Sequence, residues 1–156
     1  MTKQELYKSK FVPMQEALNK IHSGDVIVVG FYADEPRQFL NELHTIGNHV
    51  ENVTVWSNNP YMEYPFIANA DLAGKIDILT VFYGPSMRKN HDNGRIQYAP
   101  HNLHQVSQAI IETKRPNVFV AAVSPMDADG YVRMACSQQI EPEMFETCLL
   151  YTSRCV

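Results

Sequence analysis

Apolar residues along this chain follow two alternating rhythms. Residues 13–23 carry Met14, Ala17, Leu18 and Ile21 at helical spacing, with Pro13 suited to a first turn and Gly24 to a left-handed stop. The next run, DVIVVGF (25–31), is continuous and β-branched, as expected of a strand covered on both faces. The alternation then repeats. PRQFLNELHTI, from Pro36, predicts a helix with Phe39, Leu40, Leu43 and Ile46 inward, ended by Gly47. NVTVWS (52–57), IDILTVFYG (76–84), RIQYAP (95–100) and NVFVAAVS (117–124) predict strands, and FIANADLAG and NLHQVSQAIIE (102–112) predict intervening helices. YVRMACS (131–137) reads as an antiparallel hairpin partner of 117–124 across an Asp-Gly turn, with Cys136 as a small apolar strand residue.

Apolar strands separated by amphipathic helices build βαβ units. The predicted fold class is therefore α/β: a mostly parallel, doubly wound sheet with helices on both faces. Ligands of such sheets lie beyond the carboxyl ends of the strands, which selects the loops 31–36, 57–65, 84–94 and 124–130.

Composition narrows the classes. The 156 residues are 45% apolar, which suits one folded domain and excludes fibrous and disordered chains. Seventeen acids against 13 bases leave a net charge of −4, so no nucleic-acid partner is expected. No apolar run is long enough to span a bilayer, and the start lacks a signal-peptide core, so no membrane partner is expected. Three cysteines (Cys136, Cys148, Cys155) form no disulfide framework and fit a reducing, cytoplasmic setting.

The loops then offer candidate chemistry. GFYADEP lacks the closely spaced glycines of a phosphate cradle. Its Asp34 and Glu35 suit a helix N-terminus, with Glu35 the carboxylate best placed for chemistry. The segment YGPSMRKNHDNGR (83–95) gathers Arg88, Lys89, His91 and Arg95 between Gly84 and Gly94. It is either an anion site, since arginine forks match carboxylates and phosphates, or a solvated basic turn. His101 and His104 share a helix face, but no third ligand follows at metal spacing, so capping or surface roles are expected and no metal. In VSPMDADGYV (123–132), Asp127, Asp129 and Gly130 shape a turn, and the acid spacing excludes a calcium loop.

Together these segments resemble the N-terminal domain of the acetyl-CoA hydrolase/CoA-transferase family, which includes 4-hydroxybutyrate and butyrate–acetate CoA-transferases. The similarity runs from about residue 7 to 147. It is carried by KIHSGDVIVVG, by DLAGKIDILTVFYG, by GR-x-x-Y-x-P (Gly94, Arg95, Tyr98, Pro100) and by SPMD-x-x-GY (Ser124, Pro125, Met126, Asp127, Gly130, Tyr131).

The resemblance implies half of a two-domain enzyme whose active site lies between the halves. Gly84, Arg88, Gly94, Arg95, Tyr98, Pro100, Ser124, Pro125, Met126, Asp127 and Gly130 are the expected cleft wall. It implies coenzyme A as a substrate with no permanently bound cofactor. The implied partners are an acyl-CoA, a short carboxylate and the C-terminal domain, in a homo-oligomer when intact. The attacking glutamate of the family lies in that other half. None of the ten glutamates here occupies its context, so no catalytic residue carries over and the isolated chain is expected to be inactive.

Residues 1–147 are thus read as the N-terminal domain. SQQIEPEMFE (137–146) predicts a helix with Pro142 in its first turn. The remainder, 148–156, departs from the family pattern and is read as an atypical tail after a truncation. Met144, Phe145, Leu149, Leu150 and Tyr151 are expected to be loosely packed there.

Overall fold

The computed structural model describes residues 2–148 and the backbone of 150–154. In chain order the helices are α1 (Lys3–Ser9), α2 (Met14–Leu18), α3 (Arg37–Glu42), α4 (Pro65–Ala68), α5 (Pro85–Lys89), α6 (Val106–Lys114) and α7 (Glu141–Thr147). The strands are β1 (Val26–Val29), β2 (Val53–Trp56), β3 (Ile76–Thr80), β4 (Ile96–Tyr98), β5 (Val118–Ala122) and β6 (Leu150–Arg154). They form one sheet in the order β4-β3-β2-β1-β5-β6, and every ladder is parallel.

Both faces of this sheet are covered, which is why its strands read as unbroken apolar runs. Ile27, Val29, Val55, Ile78 and Val120 point to one face, where they meet Leu18, Phe39, Leu40, Phe66 and Met87. Val28, Trp56, Leu79 and Phe119 point to the other, against Val106 and Ile110 of α6 and Met144 of α7. The helices connecting β1 through β4 thus share one side, and those flanking β5 share the other. The chain reverses its winding between β1 and β5, where Val29 lies opposite Val120.

Several elements differ from the sequence expectation. α1 is an addition: Thr2 accepts from the Glu5 amide at 3.2 Å while the Glu5 carboxylate accepts from the Thr2 amide at 2.7 Å, a capping box. The first predicted helix is short and ends at Leu18, so Gly24 (φ +83°) serves a later turn instead of its cap. The helix from Pro36 tightens to a 3-10 helix over Leu43–Asn48.

The expected hairpin strand at 131–137 does not form. β6 occupies the open edge of β5, and the Ala135 amide is taken at 2.6 Å by the Asp34 carboxylate. Two backbone contacts still join the segment to the end of β5 and its turn, Ser124 N–H to Arg133 O at 2.8 Å and Asp127 N–H to Tyr131 O at 2.9 Å. Cys136 is accordingly exposed and outside any strand.

The predicted late helix is α7, with Pro142 in its first turn. Its Met144 is fully buried and Phe145 packs edge-on to Phe119 with ring centroids 5.0 Å apart, so neither is loose. Leu149 and the side chains of Leu150 and Tyr151 lie outside the described residues.

Candidate functional site

The reversal of winding places the β1 and β5 carboxyl ends side by side with no connection crossing between them. There Gly30 donates its amide to Val120 O at 2.9 Å. A Cβ on Gly30 would come within 2.6 Å of the Asp34 carbonyl, so this close approach requires glycine. The following loop, Phe31–Glu35, is fixed from several directions. The Phe31 amide donates to Glu141 Oε1 at 2.8 Å, and Asp34 Oδ1 accepts from Ala135. Glu35 accepts from the Tyr61 amide at 3.0 Å and from the Tyr64 hydroxyl.

Within this frame Tyr32 sits at φ +47°, a left-handed conformation costly for a bulky side chain, and the residue is 39% exposed. Such strain persists only where the surroundings over-determine the backbone, and it gathers at functional sites.

The acids of this loop are not helix caps as expected. Asp34 is fully buried, and burial pushes its carboxyl up, opposed by the Ala135 amide and reinforced by nearby Glu141. Among the described residues its Oδ2 has no hydrogen-bond partner. Glu141, also fully buried, accepts from the amides of Phe31, Gln139 and Ile140. Glu35 is 6% exposed with both oxygens engaged, and burial and this carboxylate together push the Tyr64 hydroxyl up.

Two cavities open at the switch point. One, of about 560 Å³, lies between α1–α2, the start of α3 and the end of β5, and includes Glu35, Arg37, Lys10 and Lys20 in its lining. The second, of about 290 Å³, is bounded by Ala33, Ala122, Ser124, Arg133 and Ala135.

The sequence-selected residues fall into two groups, and this chain does not bring them together. Gly84, Arg88, Gly94, Arg95, Tyr98 and Pro100 belong to the β3–β4 side, and Ser124, Pro125, Met126, Asp127 and Gly130 follow β5. Four strand spacings separate β4 from β5, about 19 Å.

In the first group, Arg95 is not a cleft residue. It is 2% exposed and its guanidinium donates to Ile76 O (2.6 Å), Phe66 O (2.9 Å) and Ile67 O (3.0 Å), tying α4 to β3. Burial pulls its pKa down. Arg88 is exposed and donates to Tyr83 O at 2.8 Å, and Lys89 pairs with Glu63 at 2.6 Å. Hydrogen bonds from Asn90 and Lys89 hold the Glu63 carboxyl down. His91 bonds the Tyr83 hydroxyl, and Tyr83 meets the exposed Tyr98 edge-on with centroids 5.7 Å apart. Gly94, at φ +70°, turns the chain into β4; Gly84 lies against Asn59, and Pro100 is exposed.

In the second group, Asp127 is the organiser. It accepts from the amides of Tyr131 (2.9 Å) and Asp129 (3.1 Å) and pairs with Arg133 at 3.0 Å, contacts that together pull its carboxyl down. Gly130 takes φ +88° there. α1 is fastened onto this turn: Lys3 Nζ donates to Asp129 O at 3.0 Å and Gln4 Nε2 to Asp127 O at 3.2 Å. Ser124 borders the smaller cavity, with Pro125 exposed and Met126 half-buried beside it.

Among the described residues no cysteine offers a nucleophile at either cavity: Cys148 is buried, its thiol pushed up to about 11 by burial, and Cys136 is exposed in the loop before α7. His101 bonds the Ala99 carbonyl at 3.0 Å and His104 is exposed. Among the described residues no group of three or more His, Cys, Asp or Glu side chains converges as a metal site.

The comparisons agree with this architecture. The chain is 25% identical over 131 residues to succinyl-CoA:cyclohexane-1-carboxylate CoA transferase of Geobacter metallireducens, covering 84% of this chain and 30% of that protein. RipA from Yersinia pestis superposes with a TM-score of 0.86 at 23% identity, over 99% of this chain and 38% of that one. The 4-hydroxybutyrate CoA-transferase of Porphyromonas gingivalis superposes at 0.69 with 18% identity, over 99% and 35%. The chain thus spans about a third of the length of these relatives. The family model for the acetyl-CoA hydrolase/transferase N-terminal domain matches residues 1–150. With a switch-point fold shared with CoA-transferases and a family match over nearly its whole length, this chain belongs to the acetyl-CoA hydrolase/transferase family as an N-terminal domain.

Proposed function

We propose that this chain is one wall of an acyl-CoA transferase or hydrolase site that exchanges CoA between a short-chain acyl-CoA and a carboxylate such as acetate. The reacting glutamate lies on a second half, carried by a longer protein or by a separate chain. That carboxylate attacks the thioester, forming an acyl-glutamyl anhydride and releasing CoA thiolate. The thiolate then attacks the glutamyl carbonyl, expelling the first carboxylate and leaving a glutamyl-CoA thioester, onto which a second carboxylate exchanges.

The observation that carries this reading is where the exposed apolar side chains lie. Among the described residues Tyr32, Tyr61, Met62, Phe82, Tyr98, Leu103, Tyr131 and Val132 are large, apolar and exposed, and all sit at or beyond the carboxyl ends of the strands. Only Leu6 and Phe11 of that class lie elsewhere. An apolar rim concentrated on one edge of a sheet marks a surface meant to be covered. Two of the carboxylates near this edge, Glu35 and Glu141, have their oxygens engaged by donors of the chain itself, which supports the division of labour.

In this reading the wall comprises the turn at Ser124–Asp127 with Gly130 and the β3–β4 side at Gly84, Arg88, Gly94, Tyr98 and Pro100. Arg95 stiffens it from behind. The second half closes the gap of about 19 Å between the two groups.

Calorimetric titration of the purified chain with coenzyme A tests this. A single wall shows no saturable binding up to millimolar coenzyme A, whereas micromolar binding would establish a self-contained carrier instead.

A further inference from the structure

Two buried carboxylates meet where the loop after β1 lies against the segment leading into α7. Asp34 and Glu141 are both fully buried. The two ion pairs found among the described residues, Lys89–Glu63 and Arg133–Asp127, involve neither of them. Two like charges buried together without a cation repel each other and lack water to screen them, so one is held neutral.

The donors around each carboxyl decide which one. Glu141 accepts from the amides of Phe31 at 2.8 Å, Gln139 at 2.8 Å and Ile140 at 3.0 Å, a setting that suits a carboxylate. Among the described residues Asp34 accepts from the Ala135 amide alone, through Oδ1 at 2.6 Å, and Oδ2 is left over. A buried oxygen with no donor is where a carboxylic acid carries its proton. Burial and the neighbouring Glu141 both push the Asp34 carboxyl up, in the same direction as this geometry.

No other titratable group on the surrounding elements takes over that role. Glu35, next in the loop, is engaged by the Tyr61 amide and the Tyr64 hydroxyl, and Tyr32 is partly exposed. Arg133 is paired with Asp127, and Cys136 and Glu143 are exposed. β5 carries no titratable side chain. α6, which shares the core of Phe31 through Val106 and Ile110, carries half-buried Lys114 and Glu112, the latter bonded to Gln108 at 2.7 Å.

The part these contacts fasten is light. Ala135, Cys136, Gln138 and Gln139 are exposed, and Ser137 between them is buried. α7 itself is anchored by Met144, with Ile140 just before it, in the core. The Ala135–Asp34 bond thus ties a thin segment to a loop whose Tyr32 is already in a left-handed conformation.

We infer that Asp34 and Glu141 hold one proton between them and form a pH-sensitive latch, closed while Asp34 Oδ2 is protonated and opened when that proton passes to solvent. Glu141, with three amides, stays in place. Asp34, with one, turns out to water, releasing the Ala135 amide and residues 135–139 and letting Tyr32 relax. Tyr32 lies on the exposed apolar rim, so one proton sets how that part of the rim is presented. The latch does not depend on CoA transfer.

The test is NMR on the purified 156-residue chain from below pH 3.8, the ordinary aspartate value, to neutrality. Amide hydrogen exchange, corrected for its intrinsic pH dependence, is read beside the ¹³C shift of the Asp34 carboxyl. That carboxyl should titrate above 3.8. Past its midpoint the protection of the Ala135 amide should fall about tenfold per pH unit, the slope of a one-proton equilibrium. The Phe31 and Ile140 amides, held by Glu141, should keep theirs. Asp34→Asn mimics the protonated acid and should make Ala135 protection independent of pH. Titration of Asp34 at or below 3.8, Ala135 protection that stays constant, or equal loss at Phe31 and Ile140 would each overturn the latch. The same fall in Asp34→Asn would overturn it too. If that variant does not fold, the two wild-type titrations decide.

Discussion

Replacing Arg95 by methionine separates a structural arginine from a substrate-binding one. The guanidinium makes three hydrogen bonds to carbonyls of α4 and β3 at 2.6–3.0 Å and is 2% exposed. Methionine fills similar space but leaves those carbonyls without their donor. Hydrogen bonds from a charged group contribute about 1.5–3 kcal/mol each but share one guanidinium here. A buried carbonyl left without its donor costs about 1–3 kcal/mol, so three that lose one shared donor are expected to cost about 3–5 kcal/mol together. That is a large part of a domain's ~5–15 kcal/mol. Urea unfolding followed by fluorescence of the buried Trp56 should show the midpoint falling by about 1.5–2.5 M. The melting temperature should fall by about 6–20 °C. Arg88→Met is the control: that side chain is exposed with one bond to Tyr83 O, and the expected change is within about 0.5 kcal/mol. A loss below about 1 kcal/mol for Arg95→Met would refute the assignment and return Arg95 to the candidate anion site.

Two further outcomes follow from the β1 loop. Tyr32→Gly relieves a left-handed backbone and should raise the melting temperature by about 2–4 °C, read by calorimetry; a fall would mean that packing against Phe31 outweighs the strain. Burial raises the Asp34 carboxyl above its ordinary 3.8, so the folded state holds that proton more tightly than the unfolded chain. The Asp34 contribution is therefore fully present below pH 3.8 and is lost as pH rises through the raised value. Asp34→Asn keeps the acceptor for Ala135 and should flatten this fall in unfolding free energies measured across the window; parallel curves for the two proteins would contradict it.

The alternation of strands and helices was legible because each strand is covered on both faces and carries an unbroken apolar run, as Ile27–Val29 and Val118–Val120 do. The loop 31–36, one of those selected by the rule of carboxyl ends, borders the larger cavity. What escaped was long-range. Nothing local reveals that Arg95 turns inward while Arg88 faces solvent, or that Glu141, at the start of a helix, reaches the Phe31 amide 110 residues away. Segment 131–137 has strand-like composition, but its pairing edge is occupied by β6, which no local pattern announces. α1 was readable in principle, since Thr2-Lys3-Gln4-Glu5 has capping-box spacing. Its signal is faint because the helix carries no apolar face to bury.

The most direct test is isotope exchange between labelled acetate and acetyl-CoA catalysed by the purified 156-residue chain. The expected result is no exchange above the uncatalysed background, because in the proposed function the glutamate that forms the covalent intermediate belongs to a second half. Exchange that scales with protein concentration and disappears in Glu35→Gln would contradict the account, since the chain would then hold its own attacking carboxylate.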